Sequence, residues 1–128
     1  MIYTEGDVIY CTRGDSTETL GNHLEFSFNN IDDTPFNFLP GQTVIFKVYN
    51  PKNANEVFIQ KEIHIDEICT SIYIPLTEAD TTIGDYINKP VTYAYEISIN
   101  GNATIIGYDP LDGAKPFVLL PEGGNKND

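Results

Sequence analysis

Few side chains in this sequence are equipped for chemistry: two histidines, His23 and His64, and two cysteines, Cys11 and Cys69. Nucleophilic catalysis needs a hydroxyl or thiol beside a base that a third group orients. Both histidines stand where apolar and polar residues alternate, so both are expected on strand surfaces, outside any triad. Cys11 follows the apolar pair Ile9 and Tyr10, and no local feature is there to lower its pKa. Two cysteines are too few for a disulfide framework and their spacing fits no zinc or redox motif, so both are expected as buried free thiols. No catalytic, cofactor-binding or metal-ligating residue is assigned, no cofactor is expected, and the chain is read as a non-enzyme.

Acidic pairs recur in loops at Asp32-Asp33, Asp66-Glu67 and Asp109 with Asp112. Carboxylates from neighbouring loops are the ligands that calcium takes, yet no stretch has the spacing of a regular calcium loop. Asp also supports turn geometry unaided, which is the role expected here. The eight tyrosines carry a different chemistry, an apolar ring with a hydroxyl handle that suits protein interfaces and carbohydrate platforms. Cross-strand packing is their plainer use. Tyr3, Tyr49 and Tyr73 face away from the apolar stripes and form the candidate interaction surface.

The elements that position these residues are strands. Segments rich in Val, Ile, Tyr, Phe and Thr recur at short intervals between Gly, Pro, Asn and Asp clusters. Strands are expected over Asp7 to Thr12, Leu20 to Phe28, Thr43 to Tyr49, Val57 to Ile65, Thr70 to Leu76, Val91 to Ile99 and Ala103 to Tyr108. Two short apolar runs, Phe36 to Leu39 and Phe117 to Leu120, flank them. In the second strand Leu20, Leu24, Phe26 and Phe28 should point inward and His23, Glu25 and Ser27 outward. The stretch 50–55 reads as a hairpin loop, and Asn100-Gly101 as a type I′ turn. Thr77 stands three residues before Asp80, the mark of a short capped helical turn near 77–83 that crosses between sheets.

Seven to eight short strands with one crossover turn define an all-β, two-sheet antiparallel sandwich of immunoglobulin-like layout. The length of 128 residues fits one domain over 1–122, with 123–128 as a flexible tail. Seven basic against nineteen acidic residues give a net charge of −12, a field that repels nucleic acid and anionic membranes. No cationic stretch with an apolar run opens the sequence, so no signal peptide, no membrane insertion and synthesis in a cytoplasm are expected.

Three segments carry a resemblance. Arg13-Gly14-Asp15-Ser16 follows the first strand, Leu76-Thr77-Glu78-Ala79-Asp80-Thr81 precedes Gly84-Asp85-Tyr86, and Tyr93-Ala94-Tyr95-Glu96-Ile97 leads toward Phe117-Val118-Leu119-Leu120-Pro121-Glu122. Together, over roughly residues 7–122, they resemble the Ig-like β-sandwich domain of tail and baseplate proteins of siphophages and prophages of Gram-positive bacteria. The resemblance implies a structural role in a virion, with other tail proteins and further copies of the chain as partners and no enzymatic activity. Arg13-Gly14-Asp15 is also the tripeptide that integrins read, but at a strand end the Gly serves a turn and the Asp bonds neighbouring amides. The same architecture admits two other functions, a carbohydrate or host-surface binding module and a calcium-dependent adhesin-like domain.

Overall fold

A computed structural model describes residues 1–19, 21–100, 103–107 and 113–122. Among them nine strands and one short helix follow in order: β1 (Ile2–Glu5), β2 (Val8–Thr12), β3 (Glu25–Ser27), β4 (Thr43–Asn50), β5 (Asn53–His64), β6 (Ser71–Tyr73), α1 (Glu78–Thr81), β7 (Val91–Ile99), β8 (Ala103–Ile106) and β9 (Lys115–Leu120). The fold is an all-β sandwich. Its large sheet runs β1-β2-β9-β7-β4-β5 with β8 also on β7, and its small sheet is β3-β6. The order β9-β7-β4-β5 is that of G-F-C-C′ in a variable-type immunoglobulin sandwich, and β3-β6 stands where B-E does.

Period-two alternation builds the core between the sheets. Val44, Phe46 and Val48 of β4 share the inner face with Tyr95 and Ile97 of β7, Phe117 and Leu119 of β9, and Ile9 and Cys11 of β2, none of them exposed. Leu24, Phe26, Ile72 and Ile74 close over them from the small sheet, and the Phe26 and Tyr95 rings meet at 6.0 Å. Each such side chain contributes about 1.5–3 kcal/mol through the apolar area it removes from water. Phe38, fully buried on the β3–β4 connection, packs with Phe28 and Phe36 at one end of this layer.

Several boundaries differ from the sequence expectations, each for a local reason. A further strand, β1, precedes the expected first strand and makes a hairpin with it: Gly6 takes φ +60 at the first position of a two-residue loop, the place where type II′ turns need glycine. The loop expected over 50–55 shrinks to Pro51 and Lys52, because Asn50 pairs with Asn53 and β5 starts there. The second and fifth expected strands shorten to three residues each, since their flanks bond into loops. Ile99 pairs with Ala103, so three residues join β7 to β8 where a two-residue turn was expected; Asn100 has φ +54, and Gly101 lies outside the described residues. One pairing is parallel, β2 with β9, two strands too distant in sequence for a hairpin. Leu20, Asp109, Asp112 and the tail 123–128 also lie outside the described residues.

The helical crossover forms as its spacing predicts. Thr77 Oγ1 accepts from the Asp80 amide at 3.1 Å while the Asp80 carboxylate accepts from the Thr77 amide at 2.9 Å, a complete capping box. α1 thus carries the chain from β6 in the small sheet to β7 in the large one.

Candidate interaction surfaces

The three tyrosines do not form one surface. Tyr3 and Tyr49 lie on the outer face of the large sheet, Tyr73 on the outer face of the small one. Tyr3 pairs with Tyr10 across the first hairpin and their rings stack at 5.0 Å with 17° between planes. Tyr10 in turn sits opposite Val118 of β9, and Val118 opposite Thr92 of β7. Tyr49 lies opposite Ala94 on one side and Val57 on the other. Burial, with Glu96 adding to it, raises the Tyr49 hydroxyl above its ordinary pKa. Four strand steps separate β1 from β4, each about 4.8 Å, so Tyr3 and Tyr49 mark opposite sides of one face.

Tyr73 stands at the centre of a second surface, with 59% of its area exposed. His23 meets its ring edge-on at 5.1 Å, and His23 Nε2 lies 3.0 Å from Glu25 Oε1. Glu25 is the register partner of Tyr73. Hydrogen bonding, first from His23 and then from Ser71, holds the Glu25 carboxyl below its ordinary pKa, and the Glu25 charge raises the Tyr73 hydroxyl. A groove of about 290 Å³ opens on one side of Tyr73, lined by Thr17, Asn22, His23, Leu24, Ile74 and Pro75. Another of about 250 Å³ runs between the end of β5 and β6, with Asp66, Glu67 and Cys69 in its wall. The outward positions of His23 and Glu25 were legible from alternation, but their meeting with Tyr73 depends on the β3–β6 register, which no local pattern sets.

Most of the remaining polar and reactive groups serve structure. Arg13 is buried to 8% exposure: its Nε donates to the Ile83 carbonyl at 3.1 Å, and its two terminal nitrogens bond Glu122 and the Gly84 carbonyl. With its guanidinium inside, the Arg-Gly-Asp tripeptide offers no cation to a receptor. Gly14 takes φ +86, as a turn at the strand end requires. Asp15 departs from its expected role: its carboxylate pairs with the Met1 amino group, and its carbonyl accepts from Thr81 Oγ1 at 2.6 Å.

Cys11 is fully buried, and that burial pushes its thiol up to about 12. Cys69 is only half-buried, which corrects the expectation of two buried thiols. His64 is exposed and its Nδ1 lies 3.1 Å from Thr43 Oγ1. Asp32 accepts from the Thr34 amide and hydroxyl inside a tight turn, so the Asp32-Asp33 pair serves loop geometry. Among the described residues no three His, Cys, Asp or Glu side chains gather as a metal-holding group, and no helix is long and apolar enough to cross a membrane. Comparison with protein-family models, curated proteins and solved structures gives no match to this chain.

Proposed function

We propose that this chain is a non-catalytic assembly domain, a structural component of a phage or prophage virion of the tail or baseplate kind. The observation that carries the assembly reading is the use of its reactive groups. Cys11 is buried with its thiol held protonated, His64 bonds Thr43, and His23 bonds Glu25 on an exposed face. Outward tyrosines on both sheets supply instead the kind of surface proteins dock through. The virion assignment rests on the resemblance of its three sequence segments to tail and baseplate sandwiches. Its partners on this reading are other tail proteins and further copies of the chain in a symmetric assembly. Mass spectrometry and immunogold electron microscopy of purified particles test it: the chain should be present at fixed positions, and its absence from particles removes the virion assignment.

A second reading is favoured by one observation, the exposed Tyr73 ring with a groove beside it. An aromatic platform flanked by polar groups suits a sugar, so a carbohydrate or host-surface binding module is the alternative. Glycan-array binding that Tyr73→Ala abolishes would select it, and a blank array would discard it.

A further inference from the structure

The small sheet has an open side. Ile74 donates its amide to the Leu24 carbonyl at 2.9 Å, so in the antiparallel ladder the pairs Leu24/Ile74 and Phe26/Ile72 are the hydrogen-bonded ones. Ser71 and Tyr73 fall on the alternate positions, and their amide and carbonyl groups turn away from β3. Among the described residues no strand pairs with β6 on that side. In the sandwich layout that β3 and β6 follow, this is the place beside strand E that strand D fills.

The groove of about 250 Å³ lies along that side: Ser71, Ile72 and Tyr73 form one wall, and no β3 residue lines it. Its other walls combine apolar area with negative charge. Ile63 and His64 end β5 and Ile65 follows it, and Asp66 and Glu67 are the carboxylates of its lining. Ile68, between lining residues Glu67 and Cys69, leaves its side chain 61% exposed. No Lys or Arg lines the groove, and the whole chain carries a charge of −12, which opposes a second copy of itself as the occupant.

We propose that the free edge of β6 and the acidic groove beside it take an extended, cationic peptide segment, which joins the small sheet as a third strand. Main-chain hydrogen bonds to Ser71 and Tyr73 would hold the backbone, alternate apolar side chains enter the groove, and a Lys or Arg faces Asp66 and Glu67. The inference rests on the reading of the chain as a docking domain and names the chemistry of the partner.

Amide hydrogen exchange by NMR on the full chain tests it, using a synthetic peptide of about eight residues, an ordinary strand length, that alternates Val with Lys. A control peptide carries Glu in place of Lys. The Lys peptide should slow exchange at Ser71 and Tyr73 by about tenfold or more, the response of amides newly placed in a ladder, and leave Ile72 and Ile74 unchanged. Asp66→Asn and Glu67→Gln should each weaken binding by about two- to fivefold, the scale of an exposed ion pair. Tyr73→Pro, which removes the outward amide together with the ring but no ladder bond to β3, should abolish binding, whereas Tyr73→Ala, which removes the ring alone, should keep it; if the proline variant unfolds, the two carboxylate variants decide.

Unchanged exchange at Ser71 and Tyr73 under saturating peptide overturns the proposal, as does equal binding of the Glu peptide. Protection that appears without peptide as protein concentration rises assigns the edge to a second copy and also overturns it. A null result with the chain still present in particles removes this edge alone, whereas absence from particles removes the virion assignment and leaves the exchange result standing.

Discussion

Lys61 Nζ lies 2.6 Å from Asp80 Oδ2, bridging the edge strand β5 and the crossover helix α1. Lys61 sits on the core side of β5, opposite the fully buried Phe46, and its stem runs along the sheet until the ammonium reaches the helix start. Asp80 therefore does two tasks, closing the capping box with Thr77 and receiving the lysine. Burial pushes its carboxyl upward, but the Lys61 and Thr77 hydrogen bonds outweigh it and hold the group below its ordinary pKa. A depressed carboxylate contributes stability that is present above its unfolded value and fades as pH falls through the folded one. Asp80→Asn keeps an acceptor for the Thr77 amide and removes the charge facing Lys61, so it should cost about 0.5–1 kcal/mol at neutral pH, the scale of a partly exposed ion pair. Below about pH 4, where an ordinary Asp takes up its proton, the wild type should lose that advantage and converge on the variant. Urea unfolding across this range checks the claim, and parallel pH profiles would refute it.

Arg13 makes the second prediction. Its buried guanidinium satisfies Glu122 and the Ile83 and Gly84 carbonyls, joining the end of β2 to the approach to β7 and to the exit from β9. Arg13→Ala should cost about 3–5 kcal/mol, because Glu122 would be left with no cation in a largely buried setting. Arg13→Lys should recover only part, since an ammonium cannot span the planar fork of three acceptors. Denaturant midpoints order the variants, and equal midpoints for Lys and Arg would contradict the geometry.

The pattern of alternation explains how much of this was readable. β7 matched its expected bounds, Val91–Ile99, because nine residues of clean alternation leave one answer. The capping box was readable because it is local, three residues apart. The β1-β2 hairpin was not legible although Gly6-Asp7 is flanked by strand-forming runs, because β1 buries a single side chain, Ile2, and so shows no alternation. Arg13 illustrates the opposite limit: its partners lie 70, 71 and 109 residues away, a distance over which no spacing rule operates. The split of the tyrosines between two faces has the same cause, because alternation says that a side chain points outward and says nothing of which sheet it leaves.

The two cysteines should separate under alkylation. Cys11 is fully buried on the inner face of β2, with its thiol pushed up to about 12 by that burial, so neither access nor thiolate is available. Cys69 is half-buried in a groove wall. Maleimide at neutral pH should modify Cys69 alone in the native protein and reach Cys11 only as the chain unfolds. Peptide mapping that finds Cys11 modified first would show that β2 does not sit where the parallel pairing with β9 puts it.

Tyr95 ties the core to the first hairpin, and it gives a prediction at the alkaline end. Its ring is fully buried between the sheets, and its hydroxyl donates to the Asp7 carbonyl at 2.6 Å, while the Asp7 carboxylate meets Lys115 at 3.2 Å. Burial first, and the Asp7 charge second, raise the phenol well above its ordinary pKa. A raised folded value means that the stability is whole below the unfolded pKa and drains away as pH climbs past it, because the unfolded chain ionises while the native one does not. Wild-type stability should therefore decline above about pH 10, with one tyrosine ionising only on unfolding. Tyr95→Phe should cost about 1 kcal/mol at neutral pH for the lost hydrogen bond, and should remove part of the alkaline decline. Tyrosinate absorbance followed beside circular dichroism measures both; a native protein in which every tyrosine ionises before unfolding would show that the Tyr95 hydroxyl is open to water.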